Sequence, residues 1–304
     1  VDVYYNGEYK GIYQLTDQVE VHKNRVEVEE LTPEDKTQPT ISGGYMIEVD
    51  SYAPQERSMF YSSRFKTPIT VKYPNERKIT TVQKQALVNY YNMMETRTFF
   101  ANYTDPVLGY ESVIDVNTYL RRFIAMELAA NTDSYHSVHM YKKRNDLHFY
   151  VGPVWDCDLA FDNDTRAYPT NSSSDFVVFN SRCSNVPGMK ETLRRILAVT
   201  GDKMSAYWSE ARNRRDLTPE HFDRYIDSIA LACDASQKLH YTRWKTLDKV
   251  IVLTPAARGS YQAEVDFLKQ YVRARIAWMD RKIGLIPDGV AEPSLRSIGT
   301  IDGR

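Results

Sequence analysis

Two aspartates separated by one residue lie in the segment 152–158 (GPVWDCD). If this segment continues a strand, alternate side chains share a face, so the carboxylates of Asp156 and Asp158 project together. Two adjacent carboxylates repel each other unless a proton or a cation lies between them, and a hard divalent ion is the usual partner. An isolated Asp-x-Asp pair is more often a solvated turn. The apolar residues on both sides favour a metal site at the edge of the core.

A second group of polar residues follows a helical pattern in the segment 127–133 (ELAANTD). Asn131 and Asp133 come directly after apolar residues and directly before a predicted strand. The order of helix, loop, hairpin and acidic segment places Asp133 near Asp156 and Asp158. The alternative is that Asn131 caps the helix and that Asp133 is an ordinary turn residue. The pattern leaves both interpretations open.

Other side chains could take part in phosphate or metal chemistry, each with a simpler explanation. Lys66 and Lys72 are candidates for contacting a phosphate, although lysines at strand ends are most often solvated. His136 and His139 lie three residues apart without a helical pattern, so no fixed zinc pair is expected. Cys157 has no histidine at a nucleophile-like spacing and is expected to be a small buried residue.

Composition excludes several classes of protein. The chain has 304 residues, with 39 Lys+Arg against 40 Asp+Glu and a net charge of -1, so nucleic acid is not an expected partner. No run of about 18 apolar residues occurs, so no transmembrane segment is predicted. The sequence contains no GxGxxG, Walker loop, HExxH or GxSxG motif.

The first half of the chain supplies the elements that must position these residues. A β-hairpin is predicted around Asn6-Gly7, and strand patterns follow at 43–50 and 65–72. Helical periodicity begins after residue 75, and Asp115 is a predicted N-cap of a second helix. Two short strands at 138–142 and 148–151 are predicted to form a β-ribbon that leads into the acidic segment.

The second half is predicted to be mainly helical. The stretch 162–188 lacks periodicity and is predicted to be a mobile loop beside the acidic pair. Helices are expected at 202–213, 219–237 and 260–283. Because the β-rich part comes first and the helices later, the fold class is α+β. We expect one domain over 1–285 and an extended or disordered tail over 286–304.

Four motifs taken together resemble the CotH kinase family. They are the hairpin 1–15 (VDVYYNGEYKGIYQL), the strand 43–48 (GGYMIE), the helix and loop 115–133 and the segment 152–158 (GPVWDCD). They occur in the order expected for the family and extend over most of the chain. Each motif alone is a weak signal, whereas the full set is fairly specific.

The resemblance implies an atypical protein-kinase-like fold, in which an N-terminal antiparallel β unit precedes a mainly helical lobe with a β-ribbon and a metal-binding loop. The implied reaction transfers phosphate from ATP to serine in a protein substrate, with Mg²⁺ or Mn²⁺. A place in the cell envelope or outside a bacterial cell is also implied.

The resemblance also implies roles for individual residues. Asp133 corresponds to the aspartate of the catalytic loop, with Asn131 as its support. Asp156 and Asp158 correspond to the metal-binding pair. Glu48 is expected near the nucleotide, where Lys66 and Lys72 are the candidate phosphate contacts.

One departure from the family keeps a second function open. Family members usually carry an upstream stretch with a lysine that is expected to hold phosphates, and these 304 residues do not include it. A non-catalytic cell-envelope or surface binding module on the same fold is therefore the alternative. A nucleotide-sugar glycosyltransferase would also use an Asp-x-Asp metal motif, but the strand–helix alternation of that class is not visible.

Overall fold

Seven strands lie in the residues that the computed structural model describes, which are 1–168 and 176–285. In chain order they are β1 (Asp2–Tyr5), β2 (Glu8–Ile12), β3 (Tyr45–Asp50), β4 (Met59–Tyr61), β5 (Pro68–Tyr73), β6 (Ser137–Lys142) and β7 (Phe149–Val151). Strands β3 to β7 form one antiparallel sheet in the order β4-β5-β3-β6-β7, while β1 and β2 form a separate hairpin. The α+β class predicted from the sequence is confirmed.

Seven α-helices accompany the strands in the same described residues. They are α1 (Thr81–Phe99), α2 (Val116–Ala129), α3 (Met189–Leu197), α4 (Gly201–Arg214), α5 (Pro219–Ala232), α6 (Asp234–Arg243) and α7 (Tyr261–Met279). A π-helical turn (Asp280–Gly284) extends α7, and short 3₁₀ turns occur at Thr40–Ser42, Ala53–Gln55 and Tyr110–Ser112. None of the described helices combines the length and the apolar character that crossing a bilayer would require. The predicted tail over 286–304 lies outside the described residues.

The central strand β3 joins parts of the sheet that are far apart in the sequence. Glu48 pairs with Thr70 of β5 on one side and with His139 of β6 on the other. The β-ribbon predicted at 138–142 and 148–151 is confirmed as the antiparallel pair β6–β7, and β6 also bonds to β3, so the ribbon is part of the larger sheet. This pairing brings the polar side chains of β3, β5 and β6 together.

Local capping signals explain where the helices begin. The Asp115 carboxylate accepts a hydrogen bond from the Thr118 amide at 2.7 Å, so the predicted N-cap of α2 is confirmed. Thr80 and Gln83 form a reciprocal capping box at the start of α1. The single helix predicted at 219–237 is interrupted at Cys233, which separates α5 from α6.

The hairpin turns at Asn6-Gly7, as predicted, and both residues have positive φ angles of 49° and 77°. It contacts α6 instead of joining the sheet. The His240 ring accepts a hydrogen bond from the Ile12 amide at 3.1 Å, and the Trp244 indole donates to the Lys10 carbonyl at 2.8 Å. The N-terminal strands are thus held by a helix more than 220 residues away along the chain.

The core extends from the five-stranded sheet and the first two helices to α3, α4 and α7. Tyr91 of α1 makes edge-to-face contacts with Phe60 of β4 and Phe149 of β7, with ring centroids 6.1 and 5.7 Å apart. Leu87 and Leu120 are fully buried beside them. Leu120 belongs to α2, so this packing also holds the sheet against the helix that precedes the Asn131 loop.

Candidate active site

The acidic segment 152–158 follows β7 but does not continue it as a strand. Asp156 has a left-handed backbone with φ of 55°, a conformation that aspartate tolerates better than most residues. The backbone here is not that of a strand, and the carboxylates of Asp156 and Asp158 are nevertheless close enough for the charge of one to act on the other. Burial raises the pKa of Asp156, and the charge of Asp158 raises it further. A cation bound by Asp156 and Asp158 would stabilise the charged form of both carboxylates.

The donor set at this pair suits a hard divalent ion. It offers carboxylate oxygens, which Mg²⁺ prefers, and Mg²⁺ is commonly held by one or two carboxylates together with phosphate oxygens and water. Across residues 1–168 and 176–285, no three His, Cys, Asp or Glu side chains are arranged to hold a metal ion. The described chain would thus supply two ligating residues, Asp156 and Asp158, and a phosphate-bearing ligand would supply others.

Asp133 is held by an arginine that the sequence analysis did not identify. Arg166 donates from Nη2 to Asp133 Oδ2 at 3.1 Å, and its Nη1 lies 3.1 Å from Oδ1. The same guanidinium donates through Nε to Asp164 at 2.7 Å. Burial alone would raise the pKa of Asp164, but hydrogen bonds from Arg166 and Thr132 outweigh it and lower that pKa. Arg166 lies in the stretch 162–188, which has no helical or strand periodicity, so no sequence pattern indicated a role for it. The one available signal was its position two residues after Asp164.

Asn131 connects the loop of Asp133 to the acidic segment. Its buried side chain accepts a hydrogen bond from the Asp133 amide at 3.0 Å and donates to the Asp156 carbonyl at 2.8 Å. The helix itself ends at Ala130, whose φ of 45° makes it the left-handed C-cap. The side-chain amide of Asn131 therefore joins two loops, whereas its backbone amide donates to the Met126 carbonyl at 3.2 Å and helps to close the helix end.

Glu48 and Lys72 form an ion pair on the face of the sheet. The Lys72 ammonium lies 3.0 Å from Glu48 Oε2, and the Ser137 hydroxyl donates to Oε1 at 2.5 Å. Burial would raise the pKa of Glu48, but the bonds from Ser137 and Lys72 outweigh it and lower the pKa. Burial also lowers the pKa of the neighbouring His139 to about 4, so this ring is neutral at pH 7.

A cleft of about 790 Å³ joins this ion pair to the acidic segment. Glu48, Lys72 and His139 line it together with Trp155, Asp156 and Asp158, and residues 14 and 16–19 and Arg25 line it as well. The volume falls in the range typical of pockets for cofactors and small ligands. One cleft thus contains a lysine suited to a phosphate and two carboxylates suited to a metal.

Three predicted site residues, Lys66, Asn131 and Asp133, lie outside the lining of this cleft. Lys66 is exposed in the turn between β4 and β5. Asp133 is not a lining residue either, but it is near enough for its charge to raise the pKa of Asp156. The structure brings Asp133, Asn131, Asp156 and Asp158 into one region and leaves Lys66 apart.

The stretch 162–188 differs from the mobile loop that the sequence predicts, although residues 169–175 lie outside the described part. Phe176, Val177 and Val178 are buried, and the amides of the two valines donate to the Glu127 carboxylate at 2.6 and 3.0 Å. Glu127 is itself fully buried and lies 3.4 Å from Arg275 of α7. Apolar residues without periodicity anchor this stretch, which is why a periodicity search did not detect its packing.

The arrangement is suited to chemistry on a phosphate ester. A lysine would attract phosphate oxygens, a carboxylate pair would hold a divalent ion, and a separate aspartate could orient an attacking hydroxyl. The family model described as CotH kinase protein matches residues 1–279, which include all of these side chains. No curated protein matches the chain.

Proposed function

The chain belongs to the CotH kinase family, and from this membership we propose that it transfers the γ-phosphate of ATP to a serine hydroxyl of a protein substrate. Mg²⁺ or Mn²⁺ would serve as the metal. The observation that carries the proposal is the single cleft in which the Glu48–Lys72 ion pair faces Asp156 and Asp158.

Lys72 is the residue that we assign to the phosphates of ATP. Its ammonium is about one-third exposed and lines the cleft, while Glu48 behind it is almost buried. Glu48 limits the positions that the flexible lysine side chain can adopt, so less side-chain entropy is lost when a phosphate binds. A lysine within this chain can thus fill the role expected of the upstream lysine of the family.

Asp156 and Asp158 are the residues that would hold the metal. When bound, a divalent ion neutralises negative charge on the transferring phosphoryl group. Asn131 fixes the backbone of Asp156 through its 2.8 Å hydrogen bond, so the ligands have a defined position before any metal enters. Such preorganisation supports catalysis because little rearrangement is needed during the reaction.

Asp133 is the residue that would orient the serine hydroxyl and accept its proton. The ion pair with Arg166 positions the carboxylate of Asp133. The hydrogen bond from the Asp133 backbone amide to the Asn131 side chain positions its backbone. Because Asn131 contacts both loops, a shift of the acidic segment would also move Asp133. The antiparallel sheet of the described residues disfavours the glycosyltransferase alternative, whose class has an α/β nucleotide-binding sheet.

Removal of divalent ions is the direct test of this function. The chain should transfer labelled phosphate from γ-labelled ATP to serine in a serine-rich peptide library. We expect chelation by EDTA to reduce transfer by about 100-fold or more, since charge stabilisation by the metal is worth several kcal/mol. Excess Mg²⁺ or Mn²⁺ should restore it. Binding of Mg²⁺–ATP without any transfer would favour the non-catalytic binding module.

Substitution of Lys72 tests the assignment of the phosphate contact. We expect Lys72→Met to raise KM for ATP by roughly tenfold or more, because a hydrogen bond to a charged group contributes about 1.5–3 kcal/mol. The matched control is Lys66→Met, which removes an exposed lysine of the same β unit that does not line the cleft. Equal effects of the two substitutions on KM would contradict the assignment.

A further inference from the structure

A second recess lies at the N-terminus of α1, away from Asp133 and the acidic segment. It has a volume of about 370 Å³, and its charged lining consists of Arg57, Arg77, Lys84 and Glu76. Water occupies about 30 Å³ per molecule in the liquid, so the recess has room for a phosphate group with several waters. Its charges and its position at a helix start suggest an anion as the ligand.

The positive charge of this recess exceeds its negative charge. Glu76 lies 3.8 Å from Arg57, whose side chain is 87% exposed. Within residues 1–168 and 176–285, neither Arg77 nor Lys84 has a carboxylate within ion-pair distance. Three cations with one carboxylate leave two positive charges uncompensated, which matches the charge of a phosphate monoester at pH 7.

The start of α1 adds hydrogen-bond donors to these cations. The capping box uses the amides of Thr80 and Gln83, whereas the amides of the first helical positions have no acceptor within the helix. Thr80 and Thr81 both line the recess. Backbone amides at a helix N-terminus, together with arginine side chains, are suited to phosphate oxygens.

An unsatisfied buried hydroxyl is the independent sign that a ligand belongs here. Ser58 is only 7% exposed and lines the recess, yet its Oγ has no hydrogen-bond partner in the part of the chain that the structure describes. Buried polar groups are nearly always hydrogen-bonded, because an unpaired one is costly. Because the Oγ itself has almost no accessible surface, rotation of the Ser58 side chain would bring it to a phosphate oxygen in the recess, which would be its acceptor.

The recess and the larger cleft lie on either side of a smaller cavity that shares lining residues with each of them. A smaller cavity of about 190 Å³ is lined by Ser58 and Glu76, which also line the recess, and by Lys72, which also lines the cleft. A polypeptide that occupied the cleft would therefore have the recess close beside it. A free ion would not need this proximity.

We infer that the recess binds the phosphate group of a phosphoserine in a protein substrate that is already phosphorylated. Naming this partner as a substrate rests on the proposed kinase function, whereas the binding itself requires neither ATP nor catalysis. One phosphorylated serine would hold the substrate while another residue occupied the cleft. The proposal therefore predicts preference for substrates phosphorylated at more than one serine.

Binding of a fluorescent peptide with a single phosphoserine, measured by anisotropy without ATP or metal, tests this inference. We expect Arg77→Gln and Lys84→Gln each to weaken binding by roughly tenfold. Ser58→Ala should weaken it by about two- to tenfold. Lys78→Gln is the matched control, because Lys78 is an exposed neighbour that does not line the recess and should leave affinity unchanged.

Three results would overturn the inference. One is equal affinity for the unphosphorylated peptide, and another is binding of inorganic phosphate without binding of the phosphopeptide. The third is an equal loss in Arg25→Gln, since Arg25 lines the larger cleft and not the recess, and such a loss would place the phosphate group in the cleft. The Asp156→Asn variant should bind the phosphopeptide normally, so failure of the kinase proposal and failure of this one are distinguishable. Thermal unfolding of each variant verifies that it folds.

Discussion

Asp156→Asn and Asp158→Asn should each reduce phosphotransfer at saturating ATP by roughly 100-fold or more. Each substitution removes a charged ligand of the metal, and loss of a single electrostatic contact to a transition state typically costs about 100- to 1,000-fold in rate. The fold should be retained, because burial and the charge of Asp158 already disfavour the charged form of Asp156. The measurement is single-turnover transfer of labelled phosphate, with the unfolding temperature recorded for each variant.

The matched control for this pair is Asp17→Asn. Asp17 lines the same cleft and forms an ion pair with Arg25 at 3.6 Å. Its substitution removes one negative charge from the cleft and leaves Asp156 and Asp158 unchanged. We expect less than a threefold effect on the rate, since exposed ion pairs contribute at most about 1 kcal/mol. Full activity of both Asp156→Asn and Asp158→Asn would refute the metal assignment. If Asp17→Asn reduced the rate equally, the rate would depend on the total charge of the cleft and not specifically on Asp156 and Asp158.

Arg275→Met should lower the free energy of unfolding by about 3–5 kcal/mol, the typical cost of removing one partner of a buried ion pair. The side chains of Arg275 and Glu127 are both 0% exposed, and the guanidinium also donates to the Glu127 carbonyl at 2.8 Å. Without the arginine, the carboxylate must stay charged in the core or take up a proton. Equilibrium unfolding in urea gives the change directly.

Arg273→Met is the control on the same helix. Arg273 is 57% exposed and pairs with Asp223, so its replacement should change stability by less than about 1 kcal/mol. The double variant Glu127→Gln and Arg275→Met should recover part of the loss, because it leaves no buried unpaired charge. A loss below 1 kcal/mol in Arg275→Met would mean that the pair contributes little to the folded state.

Sequence patterns were informative where the signal is local. The N-cap at Asp115, the turn at Asn6-Gly7 and the proximity of Asp156 and Asp158 all depend on residues a few positions apart. The reason given for the aspartate pair was nevertheless wrong. The prediction assumed that the two aspartates alternate along a strand. Asp156 has a left-handed backbone instead, so the segment is not a strand at this position.

Interactions between distant segments were not accessible from one sequence. Arg166 reaches Asp133 from 33 residues away, and Arg275 reaches Glu127 from 148 residues away. No spacing rule connects such positions, because only the three-dimensional path of the chain brings them together. The pairing of β6 with β3 was missed for the same reason, since it depends on sheet order and not on the pattern of either strand.

The attachment of the N-terminal hairpin to α6 has a consequence for the order of folding during synthesis. Residues 8–12 leave the ribosome before His240 and Trp244, which hold this strand and are made more than 220 residues later. Residues 16–19, which line the cleft, follow β2 by a few residues. Contacts of such long sequence separation form late, because closing a long loop costs entropy before any contact is gained. The hairpin that precedes this part of the cleft lining is therefore anchored only after the sheet and its first helices can already have folded.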